Sequence, residues 1–431
     1  MTKVCVINVV GLTPSLLDHA PCCASLGSCQ AWNAPYPAVT CTSQATLLTG
    51  LLPREHGIVG NGWYCRQTGE VRFWQQSNNL IQGEKLYQGV STAKMFWWFN
   101  QGAPVKWSAT PKPYYGCDGS KVFGILDHTG CDLVKQIGEF PFFSFWGPKA
   151  GLPSSQWIAK ASALVMRKQT PELTLVYLPH LDYDFQRLPH QDTQRVREVD
   201  ACVATVVEAA EEIGAVPIVV SEYGLVPVSQ PVLVNRALRR AGLLQVRDGP
   251  FGEILLPMDS KAFAVVDHQL AHIYINDPQC RAEVHQVIES LEGVAAVVEP
   301  AEVDLDHARS GELIALAESH AWFAYYFWLD DNRAPDFART VDIHRKPGYD
   351  PCELFMTSQL RAGLRLVQKK LGFRYRMDVT PLEPSLVRGS HGLRPEPAHG
   401  PLVIGPNPPE SMLDFRNYVR SLLASNSAWK N

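Results

Sequence analysis

No apolar stretch in this 431-residue chain reaches the roughly 18 residues that a membrane span needs. The most aromatic segments, 95–99 and 321–329, are short and soon interrupted, so no membrane partner is expected. Charge of one sign is lacking too, since 39 basic and 43 acidic side chains give a formal net charge of −4. Binding a nucleic acid polymer calls for a strong basic excess or a clustered basic patch. Only short pairs such as Arg239-Arg240, Arg345-Lys346 and Lys369-Lys370 occur here. The eleven cysteines contain no Cys-x-x-Cys spacing, which speaks against a zinc ribbon, and an odd number in a long chain speaks against a disulfide framework. A reducing compartment follows, and a cytoplasmic location is the expectation. The apolar run 4–10 has one Lys ahead of it and Gly11 and Thr13-Pro14 behind; it is too short for a signal peptide and is read as a buried first strand.

What the chain does have is length enough for one large α/β domain with an insertion. Short β-rich runs at 4–10, 174–178 and 217–221 alternate with helical patterns, which is the mark of βαβ units and a mainly parallel sheet. Each run stops at a polar cluster, where such a sheet places its site loops. Between the last two runs, Val196, Val199, Val203, Val206, Val207 and Ala210 recur at three- and four-residue spacings and predict an amphipathic helix over 193–213.

From about residue 226 to 325 the texture changes to strands at 262–267 and 271–275, a helix at 278–291 and a strand at 295–298. An inserted α/β lobe is the simplest account. The expected division is therefore a core in two parts, 1–225 and 326–431, interrupted by a lobe at 226–325. The aperiodic stretch 333–350 reads as a long ordered loop near a site, and a last amphipathic helix is expected within 409–423.

The densest signal lies in the run 37–61. Thr40 is placed to begin a helix ending at Gly50, with Pro53 as a stop signal. Thr is a good N-cap, and from spacing alone that role is the stronger one. The same helix terminus would also let a hydroxyl attack a phosphoryl group and hold it on free backbone N–H groups.

Thr46, Leu47, Leu48, Thr49, Gly50, Pro53, His56, Gly57, Ile58 and Asn61 match a T-L-L-T-G-x-x-P-x-x-H-G-I-x-x-N pattern. In this the chain resembles the type I phosphodiesterase/nucleotide pyrophosphatase family of the alkaline phosphatase superfamily, which includes phosphonoacetate hydrolase. The resemblance runs from the first strand to Gly392. It implies an alkaline-phosphatase-like α/β core, a mainly parallel central sheet flanked by helices, with the 226–325 lobe as a smaller inserted cap. It places Thr40 on the family's nucleophile and Ser43 where the family has a phosphate-holding Asn. Cys41 falls on a non-catalytic neighbour. The sulfatase pattern Cys-x-Pro-x-Arg is not present.

The family's two metal ions flank the nucleophile, and the ligands carried over are only partly the family's. Asp182 keeps its carboxylate in the segment that follows the 174–178 strand, while Gln186 stands for a His. His391, in Gly389-Ser390-His391-Gly392, matches a family ligand. The first-strand Asp aligns with Val10, leaving Asn8 as the nearest polar substitute on the same strand face. The Asp-His-Gly after the third strand becomes Glu222-Tyr223-Gly224. One or two ions are implied, zinc by family, with the oxygen-rich set favouring Mg²⁺, Mn²⁺ or Ca²⁺.

The activity implied is metal-dependent hydrolysis of a small phosphodiester, pyrophosphate or phosphonate through a phospho-threonine. The rival reading is a non-catalytic or single-metal relative that binds a ligand or partner through the old cleft. His344 and Arg345 could meet phosphate oxygens or belong to a solvated loop. Trp97, Trp98 and Tyr114 offer flat faces for a substrate cleft, with core packing as the alternative. Tyr223 is a further substrate-side candidate. His268 and His272 are read as structural.

Overall fold

The computed structural model describes residues 2–117, 121–188, 192–373 and 375–425. Its central sheet uses eight strands: β1 (Lys3–Val9), β2 (Ser28–Ala31), β3 (Thr92–Met95), β4 (Trp107–Tyr115), β5 (Lys121–Asp127), β6 (Leu173–Leu178), β7 (Ala215–Val220) and β8 (Leu402–Gly405). Their order across the sheet is β2-β8-β7-β1-β6-β3-β4-β5. The five central strands β7, β1, β6, β3 and β4 run parallel, while β8 and β2 on one edge and β5 on the other are antiparallel additions.

Burial on both faces explains why β1, β6 and β7 read as continuous apolar runs. Helices α1 (Thr40–Thr49), α2 (Leu152–Gln169), α3 (His180–Arg187), α4 (Thr193–Glu212), α5 (Gln359–Lys370) and α6 (Phe415–Ala424) complete the frame. In α4 the apolar stripe Val196, Val199, Val203 and Val206 is wholly buried, as its periodicity predicts. The aperiodic stretch 333–350 is an ordered run of turns and a short 3₁₀ segment over Asp336–Arg339.

A second sheet of four antiparallel strands, called the lobe below, is built from Ala262–Asp267, Leu270–Ile275, Leu313–Ala317 and Val294–Val298. It gathers its own apolar cluster, which Tyr64, Phe73 and Tyr349 join from outside 226–325. The hairpin turn between the first two strands is His268-Gln269, and His268 takes a positive φ of 62° there. That turn meets the segment after Gly389–Ser390, where Gln269 N–H donates to the His391 carbonyl (3.0 Å).

Candidate active site

Three parallel strands aim their carboxyl ends at one place, the rule for open α/β sheets. β1 supplies Asn8, paired in register with Tyr177 of β6 and Val220 of β7. The chain leaving β6 enters α3 and presents Asp182 and Gln186, and the chain leaving β7 presents Glu222 and Tyr223.

α1 faces them. Its cap residue is Val39, so Thr40 is the first helical residue and not the N-cap that its residue type favours. The capping role falls to Asn61, whose Oδ1 accepts the Cys41 N–H (3.0 Å). Asn61 is in turn gripped by Asp267 of the lobe, through its N–H at 2.6 Å and its Nδ2 at 3.0 Å. Gly50 ends α1 in the left-handed region (φ 71°), with the Leu413 carbonyl only 2.7 Å from where a Cβ would stand. His56 is structural: its Nε2 meets the Thr46 hydroxyl at 3.0 Å and its Nδ1 accepts the Ile58 N–H. Burial lowers His56 to about 3 and keeps it neutral.

Relieved of capping, the Thr40 hydroxyl lies 3.0 Å from the Tyr223 phenol. Glu222 is fully buried, and its Oε1 accepts Nε2 of Gln44 at 2.5 Å and Nδ2 of Asn8. Burial pushes the Glu222 carboxyl up to about 8, while hydrogen bonds from Gln44, Asn8 and the nearby Thr40 hydroxyl pull it the other way. Gln186 donates Nε2 to Asp182 (2.9 Å) and accepts the Tyr349 hydroxyl (2.7 Å), so both ends of its amide are taken by protein groups. His391 holds the Ala38 carbonyl through Nδ1 (2.7 Å) and turns Nε2 toward Asp182 Oδ1, 3.5 Å away.

Four rings stack through the site: Tyr223 on His391 (centroids 3.6 Å, 9° between planes), His391 on His268 (3.6 Å) and His268 on Tyr349 (3.7 Å). By sequence His268 reads as structural, and neither Tyr349 nor Gln44 stands out. His268 in fact lines the cleft beside Thr40 and Asp182. His272 is structural as expected, with Nε2 on the Val59 carbonyl (2.9 Å).

Thr40, Asp182 and Tyr223 line the floor of a cleft of about 1600 Å³, with Trp74, Trp98 and Trp146 along its wall. Trp97 does not face it: the side chain is fully buried in the core and donates its indole N–H to the Val176 carbonyl (2.9 Å). Tyr114 is half exposed on the far reach of β4 and stays outside the lining. His344 and Arg345 stand on the cleft's outer wall, His344 with Nδ1 3.3 Å from the Phe73 carbonyl. Ser43 is buried with its hydroxyl unpartnered. Cys41 is buried, and burial raises its thiol well above the ordinary range, so it stays protonated.

Among the described residues no three His, Cys, Asp or Glu side chains converge as a metal ion requires. On the β7 side the aligned position is Val10, and Glu222 Oε1 already takes two amide donors. On the α3 side Asp182 Oδ1 and His391 Nε2 are buried without hydrogen-bond partners. Glu222 Oε2 and Asn8 Oδ1 on the β7 side are likewise buried without partners, so each side offers two unpartnered donor atoms.

The chain belongs to the type I phosphodiesterase/nucleotide pyrophosphatase family, whose model matches residues 4–350. It is a hydrolase of that type. Two solved structures show the same fold at low identity. Phosphonoacetate hydrolase from Sinorhizobium meliloti 1021, in complex with phosphonoformate, shares 14% identity over 98% of this chain and 96% of its own, with a TM-score of 0.60. Murine ectonucleotide pyrophosphatase/phosphodiesterase 5 shares 13% over 100% and 97%, with a TM-score of 0.57. An inactive form of the murine protein in complex with AMP aligns with a TM-score of 0.55. No curated protein sequence matches the chain. No helix among the described residues is long and apolar enough to cross a membrane.

Proposed function

We propose that the chain hydrolyses a small phosphodiester, pyrophosphate or phosphonate with Thr40 as nucleophile. The observation that carries this is the release of the Thr40 hydroxyl from helix capping, which leaves it on the cleft floor against Tyr223 and beside Glu222. In the first step the Oγ1–P bond forms and the bond to the leaving group breaks, while the hydroxyl proton passes to the Glu222 carboxylate. In the second, water displaces Thr40 from phosphorus and releases one proton to solvent, while the proton on Glu222 returns to Oγ1; the group that departed in the first step takes its proton from solvent. Tyr223 orients the nucleophile, and Asn8 and Gln44 fix Glu222. A single divalent cation held by Asp182 and His391 would supply positive charge for the phosphoryl oxygens. His344, Arg345 and Ser43 are substrate-side candidates, and the lobe serves as a cap over the cleft. Eleven unpaired cysteines support the reading of a cytoplasmic protein.

The replacement of a family Asp by Val10 favours a second reading, a relative that binds a phosphoester without turning it over. Incubation of the metal-stripped protein with bis(p-nitrophenyl) phosphate and a panel of divalent ions separates the two. Turnover that Thr40→Ala abolishes supports the hydrolase; no turnover with any ion, together with equal phosphonate binding by both forms, supports the second reading.

A further inference from the structure

Helix α5 (Gln359–Lys370) buries none of its residues. Twelve residues rarely hold a helix in water by propensity alone, because most helical stability in proteins comes from packing an apolar face. α5 has an apolar face, and it points outward. Leu360 is 83% exposed, Leu364 66%, Val367 53% and Leu371, just past the helix end, 67%. Offsets of four, three and four residues put all four on one narrow stripe. The opposite side, with Ala362, Arg365 and Lys369, borders the cleft.

The charge on the same helix is one-sided. Arg361, Arg365, Lys369 and Lys370 are met by no acidic residue within 359–370, in a chain whose net charge is −4. Arg361 and Arg365 grip Asp378, the latter at 2.8 Å, and so tie the helix to the body. By helical phase Arg361, bridged to Asp378, and Lys370 flank the aliphatic stripe on either side, and Lys370 is placed to rise to a headgroup layer while the stripe sinks below it. Exposed Phe373 (65%) extends the apolar surface.

We propose that α5 is an interfacial helix that seats on an anionic lipid surface. Charge complementarity selects that occupant, since four cations against the one carboxylate of Asp378 leave the helix with surplus positive charge around an apolar layer, which an anionic lipid headgroup region matches. The expectation of no membrane partner rested on span length, and a helix lying in the interface needs no span. The seat would bring the adjoining cleft wall to the lipid surface.

Flotation with vesicles tests this. The full chain is mixed with vesicles of phosphatidylcholine alone or with about 30% phosphatidylglycerol, at low and high salt. The expected result is binding to the anionic vesicles, at least tenfold weaker for the combined variant Leu364→Gln, Val367→Gln, Leu371→Gln, and weakened by salt. Since none of the three side chains is buried, the variant should melt where the wild type does. Lys370→Gln provides a milder second variant, expected to weaken anionic binding with the stripe intact. No binding to anionic vesicles overturns the proposal, as does equal binding by wild type and both variants. A dimer in light scattering that the triple variant dissolves also overturns it, by showing that a second copy covers the stripe.

Discussion

Tyr223 presents its hydroxyl to Thr40 at 3.0 Å while its ring lies flat on the imidazole of His391. One side chain thus positions the nucleophile through its polar end and steadies a candidate ligand through its face. Tyr223→Phe separates the two roles. The stack survives and the hydrogen bond, worth about 1 kcal/mol net, is lost. The expected outcome is a kcat lowered about fivefold, with little change in melting temperature. An unchanged kcat would refute the positioning role.

Ion stoichiometry tests the proposed single cation at Asp182 and His391. Calorimetric titration with Mn²⁺ or Mg²⁺ is expected to give one ion per chain. Asp182→Asn and His391→Ala should each weaken it at least tenfold, since a two-residue site has no spare ligand, whereas Glu222→Gln should leave the stoichiometry unchanged. Two ions per chain in the wild type would contradict the single-ion reading.

Asp267 makes stability depend on pH. Burial raises its carboxyl from 3.8 to about 7 in the folded protein, against the pull of its bonds to Asn61. Between those values the unfolded chain has released the proton and the folded chain still holds it. Stability should therefore fall as pH rises from about 4 to about 7, by up to about 1.4 kcal/mol per pH unit for this one group. Urea unfolding across that range should show the decline, and Asp267→Asn should remove this group's share of it.

Lys346 is buried between Asp350 and Glu353, with both carboxylates at 2.7 Å. Trp146 of the cleft wall donates its indole N–H to Glu353 at 2.5 Å. Lys346→Met would strand two buried carboxylates. Breaking such a pair costs about 3–5 kcal/mol, so a loss of that size in denaturant titration is expected, and a loss under about 1 kcal/mol would contradict this account.

Much of this was legible locally. The apolar runs that became β1, β6 and β7, the stripe of α4 and the Gly50 stop are signals within a few residues of one another. So was the motif from Thr40 to Asn61, although its physics was not. Asn61 caps a helix that starts 21 residues earlier, and only because Asp267, 206 residues on, holds it there. Thr residues cap helices often enough that Thr40 could not be told from a cap by type. His268, paired on paper with His272, gave no sign that a hairpin turn would carry it onto His391. Trp97 and Trp98 are neighbours of one kind, and only the turn after β3, with Phe96 and Phe99 at positive φ, decides which enters the core. Gln44, in the middle of a helix, showed nothing of its grip on a carboxylate 178 residues away.

The stack of Tyr223, His391, His268 and Tyr349 draws its rings from the end of a central strand, a segment near the C-terminus, the tip of the lobe's hairpin and the long loop. It works as a key between separately built parts. Any change in the angle between lobe and sheet slides one ring over another and shifts the imidazole that faces Asp182. Substitutions in the lobe's apolar core, far from any reacting atom, would then be felt in the chemistry as loss of alignment.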